Sequence, residues 1–207
     1  MSKILIAVPT YETIYPDTFK SIYDLEKGEH EVDFNFIRGY DCATARNNIV
    51  FEAKRRGVDY VYMIDNDVVV PPNSLLLFMN NPMLVNLGYC ARRSGNNGYD
   101  GITTICKFGE TDYTTEFMYR EEEFQEFRSQ NIARVQVHGG GLACAFIDMK
   151  VFDIIPFPWF DWVNYSNNTH LSEDLFFCEQ CHKYKIPIYV DTRVNCGHMF
   201  RYIQYCK

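Results

Sequence analysis

Short apolar runs and amphipathic segments alternate along the first half of the chain. Apolar runs at 3–8 and 60–64 predict two buried strands, and the polar–apolar alternation over 31–37 predicts a third. The segment 42–56 has the pattern of a helix, and Gly57 follows it as a stop signal. This alternation of strand and helix predicts an α/β fold with a mixed, mostly parallel sheet flanked by helices.

The same signals predict elements in the rest of the chain. Asp17 is expected to cap a first helix, with Phe19, Ile22, Tyr23 and Leu25 forming its apolar stripe. The further predicted elements are helices at 74–79 and 120–128, a helix capped by Ser172 and reaching 184, strands at 83–89, 102–108, 133–137 and 186–190, and a polar loop at 94–101. No repeat, low-complexity tract or clear linker interrupts the chain, so a single domain is expected.

The composition is that of a folded, acidic protein. Of 207 residues, 27 are acidic and 20 basic, which gives a net charge of −7. This charge argues against sequence-independent binding of nucleic acid, which depends on lysine and arginine neutralising phosphates. A phosphate-bearing ligand is therefore expected to need a metal ion. No apolar run approaches the roughly 18 residues of a membrane-spanning helix, so we expect an intracellular, cytoplasmic protein with reduced cysteines.

Polar residues follow each of the first three predicted strands. Pro-Thr-Tyr-Glu at 9–12 follows the first, Arg-Gly-Tyr-Asp at 38–41 the second, and Asp65-Asn66-Asp67 the third. Ligands of open α/β sheets bind outside the carboxyl ends of the strands, so these segments are expected to converge. Carboxylates at such a point suit Mg²⁺ or Mn²⁺, which neutralises a diphosphate. The alternative is an acidic pair that only solvates a turn.

Taken together, these residues resemble glycosyltransferases of the GT-A fold, particularly the family-2-like group with nucleotide-sugar donors. The resemblance rests on 4–12, Ala45-Arg46-Asn47, 63–67, Gly140-Gly141 leading into Val151-Phe152, Ser172-Glu173-Asp174 and Gly197-His198. Compact domains of large DNA viruses, phages and bacteria look similar, with capsid or surface glycans as acceptors and, for viruses, the host cytoplasm as location. The resemblance implies a nucleotide-binding half at 1–92 and an acceptor and catalytic half at 93–207, either alone or as a module of a larger protein.

For the donor site, the resemblance implies a nucleoside diphosphate sugar, with a UDP-sugar as the expected donor. Tyr11 would lie near the base, Asp41 would accept a hydrogen bond from it, and Arg46 would support the pocket. The full donor-binding set is Pro9, Thr10, Tyr11, Glu12, Arg38, Asp41, Arg46, Asp65 and Asn66. Asp67 and His198 would ligate a Mn²⁺ or Mg²⁺ ion.

For the acceptor side, the resemblance implies sugar transfer with inversion to a glycan or glycoprotein, and Asp174 as the catalytic base. Glu173 would lie on the acceptor side, or it complements the helix dipole. The glycine pair at 140–141 would let the backbone approach a sugar closely. Trp159 and Trp162 would stack on the acceptor, although aromatic residues more commonly fill the core.

Other interpretations remain open. A C-x-x-C-H pattern at 178–182 matches covalent haem attachment, and Cys196 with His198 would complete a zinc-like set. The pattern falls inside a predicted helix without an export signal, and His198 cannot serve two metal sites, so both readings rank below the transferase. A retaining transferase, a non-catalytic nucleotide- or glycan-binding module and a structural zinc protein are the functional alternatives.

Overall fold

The computed structural model describes residues 1–92, 101–109, 115–164 and 170–199. The strands are β1 Lys3–Thr10, β2 Glu31–Arg38, β3 Tyr60–Ile64, β4 Val68–Val69, β5 Val85–Cys90, β6 Ile102–Lys107, β7 Met118–Arg120, β8 Arg134–Gly140, β9 Cys144–Asp148, β10 Val163–Asn164, β11 His170–Leu171 and β12 Ile188–His198. The helices are α1 Pro16–Tyr23, α2 Cys42–Arg56, α3 Ser74–Met79, α4 Glu121–Ser129, α5 Val151–Ile154 and α6 Glu173–Lys183, with a 3-10 turn at Thr115–Phe117. Cys206 and all but the last residue of the polar loop predicted at 94–101 lie outside the described ranges.

Ten of the described strands form one sheet. Their order is β2-β1-β3-β9-β5-β12-β8-β6-β7, and β4 pairs with the end of β12. β1 is parallel to β2 and β3, β9 is antiparallel to β3 and β5, and β12 is parallel to β5. Strands β2, β1, β3, β5 and β12 therefore point the same way, while β8, β6 and β7 extend the sheet through antiparallel pairs. The predicted mixed, mostly parallel α/β sheet is confirmed.

Helices cover both faces of this sheet. Leu5 of β1 and Met63 of β3 belong to a hydrophobic cluster that includes residues of α2 and α6. Their neighbours Ile6 and Tyr62 belong to a second cluster that includes residues of α1 and α3. Successive side chains of a strand point to opposite faces, and here both faces are buried. Because both faces of β1 and β3 are buried, their sequences are continuous apolar runs without polar alternation.

Helix α2 begins and ends where the sequence predicts. The Oδ1 atom of Asp41 accepts a 2.7 Å hydrogen bond from the backbone N–H of Thr44 and so caps the first turn. Gly57 ends the helix with a φ of 63°, a left-handed conformation that glycine adopts without strain. The predicted bounds of β3 and α3 are confirmed as well. No helix in the described ranges is long and apolar enough to cross a membrane.

Helix α1 differs from its prediction. It begins at Pro16, because proline is pre-organised for the first helical position, and Asp17 lies in the first turn without acting as the cap. The predicted apolar stripe is half correct: Ile22 and Leu25 are buried, whereas Phe19 and Tyr23 are 45% and 76% exposed.

Two late strands are longer than predicted. β8 continues from the predicted end at 137 through Gly140, and β12 continues from 190 to His198. In β12 the register with β5 shifts between Val190 and Asn195, and the polar segment 191–193 lies at this irregularity. These polar residues interrupt the apolar pattern, so the alternation of the sequence does not reveal the second half of the strand.

Candidate active site

The carboxyl ends of five co-directional strands mark one edge of the sheet. β1 ends at Thr10, β2 at Arg38 and β12 at His198, while Asp65 follows β3 and Ala91 follows β5. Because β2, β1 and β3 are adjacent and parallel, the segments after them lie side by side. The structure therefore brings together the three segments that the sequence singled out.

A pocket of about 200 Å³ opens between the segments that follow β1 and β2. Its lining residues are Pro9, Thr10, Tyr11, Gly39, Tyr40, Asp41, Cys42, Ala45 and Asn66. Most of the residues expected to bind the nucleoside are in this set. Four lining residues were outside the predicted donor-binding set: Gly39 and Tyr40, which belong to the predicted segment 38–41, and Cys42 and Ala45, which begin α2. We call this cavity the inner pocket.

A second cavity of about 510 Å³ borders the inner pocket. Its lining residues are Tyr11, Glu12, Arg38, Gly39, Tyr40, Thr44 and Asn48. It contains Glu12 and Arg38, two further predicted residues of the loops, and shares Tyr11, Gly39 and Tyr40 with the inner pocket, whereas the predicted Asp65 lines neither cavity. We call it the outer cleft. Both tyrosines therefore border both cavities.

The walls of the inner pocket are held by internal hydrogen bonds. The hydroxyl of Thr10 donates to the carbonyl oxygen of Thr13 at 2.9 Å, and the side-chain amide of Asn66 donates to the same oxygen at 2.7 Å. At the opposite wall, a Cβ on Gly39 would lie 2.3 Å from the backbone nitrogen of Ala45. Only glycine lets this turn pack against the start of α2 without a clash.

Arg46 is the buried centre of the site. Its guanidinium, 3% exposed, donates to Oδ1 of Asp65 at 2.9 Å, to Oε1 of Glu173 at 3.3 Å and to the carbonyl oxygen of Leu142 at 3.3 Å. It thereby connects α2 to the acidic triplet, to the first turn of α6 and to the link between β8 and β9. Arg46 lines neither cavity, and its bond to Asp65 places it behind the wall that Asn66 contributes to the inner pocket.

The charges of this cluster depend on one another. Burial alone would lower the pKa of the Arg46 guanidinium. The negative charges of Asp65 and Glu173 have a larger effect in the opposite direction, so the pKa is raised above its ordinary value. Burial raises the pKa of Glu173, and the positive charge of Arg46 partly offsets this. Glu173 is 5% exposed, so its expected place on the acceptor surface is wrong. Its carboxylate pairs with Arg46 instead.

Asp67 and His198 meet because β4 pairs with the end of β12. His198 lies opposite Val68 in this antiparallel pair, and the backbone N–H of Met199 donates to the carbonyl oxygen of Asp67 at 2.9 Å. The Nε2 atom of His198 is 3.8 Å from Oδ1 of Asp67, and its Nδ1 donates to the carbonyl oxygen of Ala91 at 2.8 Å. A backbone bond at Nδ1 fixes the tautomer in which Nε2 carries the lone pair that a metal needs.

The separation of these two atoms is slightly longer than a shared divalent ion requires. Two adjacent ligands of an octahedral ion, each at about 2.1 Å from the metal, lie about 3.0 Å apart, so Asp67 and His198 would have to approach each other from 3.8 Å to share one ion. No group of three or more His, Cys, Asp or Glu side chains in the described ranges has the arrangement of a metal site. Among the described residues, Asp67 and His198 are thus the two candidate ligands here, a number typical of ions that substrate phosphates and water complete.

Asp174 lies in the first turn of α6 beside the glycine run. Its Oδ1 accepts hydrogen bonds from the hydroxyl of Ser172 and, at 2.8 Å, from the backbone N–H of Leu175. A Cβ on Gly141 would lie 3.5 Å from Oδ2, so the missing side chain leaves space on that side of the carboxylate. At Gly140, by contrast, a Cβ would lie 2.5 Å from the carbonyl oxygen of Thr104 in β6. Gly140 is thus required by sheet packing.

The two tryptophans occupy different environments. Trp159 is 5% exposed, packs against Phe51 and Phe152, and donates from Nε1 to the carbonyl oxygen of Ile155 at 2.9 Å. Its ring is covered by protein, which corrects its expected contact with an acceptor. Trp162 is 44% exposed and keeps a surface on which a ligand can stack.

The cysteine pattern of α6 does not form a cofactor site. Cys178 and Cys181 are buried among core residues, and the thiol of Cys178 donates to the carbonyl oxygen of Gly140 at 3.7 Å. Burial raises the pKa of both thiols, whereas metal binding needs the thiolate. Cys196 packs in the opposite cluster, on the other face of the sheet. This arrangement therefore does not support the haem-attachment and zinc-site interpretations.

Comparisons with known proteins show the fold of the chain. No protein-family model matches it, and no curated protein sequence matches it significantly. Among solved structures, A197 from STIV is similar with a TM-score of 0.62 and 17% identity, over 96% of this chain and 86% of A197. GalNAc-T7, crystallised with UDP, GalNAc and Mn²⁺, is similar with a TM-score of 0.61 and 9% identity, over 97% of this chain.

The chain spans 44% of GalNAc-T7, which is a glycosyltransferase of the GT-A fold. Both matches extend over almost all of this chain at low identity, so they establish its architecture. The chain has a GT-A-like fold, as the sequence resemblance implied.

Proposed function

We propose that this protein is a glycosyltransferase that moves a sugar from a nucleoside diphosphate sugar to a glycan or glycoprotein acceptor, with inversion. The observation that carries the proposal is the set of side chains that lie together at one edge of the sheet. A nucleoside-sized pocket, the Asp67–His198 pair and the carboxylate of Asp174 are all connected there through the buried Arg46 cluster. A transferase needs each of these parts, and the GT-A-like fold supports their assignment.

The nucleoside of the donor occupies the inner pocket in this proposal. Tyr11 offers an aromatic face, and Asp41 keeps its second carboxylate oxygen for a base N–H after Oδ1 has capped α2. Asp65 accepts a hydrogen bond from Arg46 and directly precedes Asn66 of the pocket wall. In this proposal it faces the ribose or the donor sugar. A UDP-sugar is the first donor to test, because GalNAc-T7 was crystallised with UDP.

The diphosphate is bound beside Asp67 and His198. Mn²⁺ or Mg²⁺ is the proposed ion, and when bound it would supply positive charge that stabilises the leaving diphosphate. The carboxylate of Asp67 and Nε2 of His198 are the protein ligands, and the bond from Nδ1 to Ala91 holds the imidazole in place. Such an ion would offset the net charge of −7 at the place where the proposed anionic donor binds.

Asp174 is the proposed catalytic base. Its Oδ2 takes the proton of the acceptor hydroxyl as that oxygen attacks the anomeric carbon, and the bond from this carbon to the diphosphate oxygen breaks with its electron pair going to the diphosphate. The two hydrogen bonds on Oδ1 orient the carboxylate. The space at Gly141 admits the acceptor, and exposed Trp162 offers it a stacking surface. One base and a single displacement give inversion.

Asp174→Asn tests this assignment, with Asp17→Asn as the control because Asp17 is also a first-turn aspartate and lies on α1, away from both cavities. Sugar transfer from UDP-glucose, UDP-galactose and UDP-N-acetylglucosamine to an oligosaccharide panel is followed by UDP release. We expect Asp174→Asn to lose transfer by about 100-fold or more while UDP affinity stays unchanged. Full activity in this variant contradicts the assigned role. Retention of the anomeric configuration, measured by NMR of the product, identifies a retaining transferase instead.

A further inference from the structure

A third cavity lies where the end of β2 meets the exposed face of α2. Its volume is about 470 Å³. Among the described strands, β2 is the last one on its side of the sheet, so the cavity is at the outer edge of the molecule. We call it the edge groove. Its lining side chains include Phe36 and Arg38 from β2 and Asn48, Phe51, Glu52 and Arg55 from α2.

The edge groove is separate from the proposed transfer site. Arg46 of α2 pairs with Glu173 in the first turn of α6. At 3.6 residues per turn, the four groove residues of α2 lie about 120–180° around this helix from Arg46. The groove is therefore on the side of α2 that faces away from α6. It meets the outer cleft at Arg38 and Asn48, which line both.

Two aromatic rings form the apolar part of the edge groove. Phe36 is 40% exposed and Phe51 is 51% exposed. Phe36 packs edge-to-face on Phe34, with ring centroids 4.8 Å apart. The ring of Phe51 is 5.6 Å from that of Phe157 and 5.1 Å from that of Trp159. Because neighbouring rings already hold both side chains in place, a ligand that stacks on them loses little affinity to side-chain ordering.

The polar part of the edge groove is also held in place. Glu52 accepts hydrogen bonds from Nε and Nη2 of Arg55 and from Nε of Arg56, each at 2.7 Å. These bonds lower the pKa of Glu52 to about 2, so the carboxylate stays charged. The side-chain amide of Asn48 donates to the carbonyl oxygen of Arg38 at 3.2 Å, and its own oxygen is a further acceptor. Donors and acceptors of fixed geometry therefore lie beside the two rings.

We propose that the edge groove binds a neutral oligosaccharide at a site separate from the transfer reaction. A pyranose ring has an apolar face of C–H groups that packs on an aromatic ring, and hydroxyl groups around its edge that bond to planar polar side chains. The paired charges of Glu52 and Arg55 favour a neutral ligand over a polyanion. A cavity of this volume lies within the usual range of small-ligand sites, about 300–1,000 Å³.

This inference goes beyond the proposed function, because sugar binding in the edge groove requires neither a donor nor a transfer step. The groove adjoins the outer cleft, so a glycan held there stays close to the donor site. Tethering of this kind raises the effective concentration of the other parts of the same glycan at the enzyme.

Calorimetric titration with chitotetraose, cellotetraose, maltotetraose and mannotetraose, without nucleotide or metal, tests the proposal. We expect at least one of them to bind with a dissociation constant of about 1 mM or below. Phe51→Ala should weaken this binding by about tenfold. Arg55→Ala should weaken it by about fivefold and leaves the aromatic contacts of Phe51 intact, so it tests the groove even where Phe51→Ala does not fold. Phe108→Ala removes a ring that is 57% exposed and lies outside the groove, and serves as the control.

The outcomes separate this inference from the proposed function. Equal affinity in the wild type, Phe51→Ala and Arg55→Ala overturns the inference, and loss of binding in Trp162→Ala alone assigns the sugar to the acceptor side of the transferase. Binding of none of the four oligosaccharides also overturns it, whereas UDP titration with Mn²⁺ tests the transferase independently. Sedimentation tests a second copy as the occupant: a wild-type dimer that dissociates in Phe51→Ala overturns the sugar assignment.

Discussion

Replacing Arg46 with methionine is expected to destabilise the fold and the donor site together. The guanidinium is 3% exposed and donates to Asp65, to Glu173 and to the carbonyl oxygen of Leu142. Methionine fills much of the same apolar space but donates no hydrogen bond. Glu173, whose side chain is 7% exposed, would be left buried without its positive partner.

The structure sets the size of this effect. Removing one partner of a buried ion pair costs about 3–5 kcal/mol, because the other charge is left uncompensated. Asp65 has a side chain that is 28% exposed and can regain hydration, so we expect the lower end, about 3 kcal/mol. In a protein of this length, each kcal/mol lowers the melting temperature by about 2–4 °C, which gives a fall of about 6–12 °C.

Thermal unfolding followed by circular dichroism at pH 7 measures this change, and UDP titration of the folded variant reports on the site. The matched control is Arg55→Met on the same helix, where the side chain is 70% exposed and pairs with Glu52 at the surface. That pair is expected to be worth less than about 1 kcal/mol. The double variant Arg46→Met/Glu173→Gln is expected to regain part of the lost stability, because it no longer buries an unpaired carboxylate.

Two results would refute this reasoning. A melting temperature that falls no further in Arg46→Met than in Arg55→Met would mean that the buried contacts do not stabilise the fold. A double variant whose losses are simply additive would mean that Arg46 and Glu173 are not energetically coupled.

Three further predictions concern other parts of the site. Asp67→Ala and His198→Ala are each expected to weaken Mn²⁺-dependent UDP binding by tenfold or more in calorimetry. A chelator should lower the UDP affinity of the wild type to the same level. Equal UDP affinity with and without Mn²⁺ would contradict the metal assignment. Gly141→Ala should reduce transfer and lower the melting temperature less than Gly140→Ala does, since its Cβ would lie 3.3 Å from Cβ of Thr104 and 3.5 Å from Oδ2 of Asp174, whereas a Cβ on Gly140 would lie 2.5 Å from the carbonyl oxygen of Thr104. The reverse order of melting temperatures would contradict this division. Burial raises the pKa of Glu173 above its ordinary 4.5, so the folded state binds this proton more tightly than the unfolded chain does. Its contribution to stability is therefore fully present below pH 4.5 and is lost as pH rises through the folded pKa, and the wild type should show a steeper loss than Glu173→Gln in denaturant titrations across this window.

Local sequence determined the elements that carry the site. Apolar runs and helix-stop signals fixed the strand at 60–64 and the helix at 42–56, because side-chain periodicity and glycine at a left-handed position are properties of a few neighbouring residues. Since ligands of open α/β sheets bind at the carboxyl ends of strands, the sequence also indicated which polar residues would face the same edge. The expected roles of Asp67, His198 and Asp174 remain predictions of this kind, now with a geometry that can be tested.

Only the tertiary structure decided which of these side chains are buried and which face a ligand. Arg46 and Glu173 are 127 positions apart in the chain, and no local pattern shows that they pair beneath the site. Trp159 and Trp162 have the same chemistry, but long-range packing against Phe51 covers one ring and leaves the other exposed. The approach of Asp67 and His198 likewise depends on the pairing of β4, a strand of two residues, with the end of β12. Contacts between distant segments depend on how every intervening element packs, and that information is not contained in any short stretch of sequence.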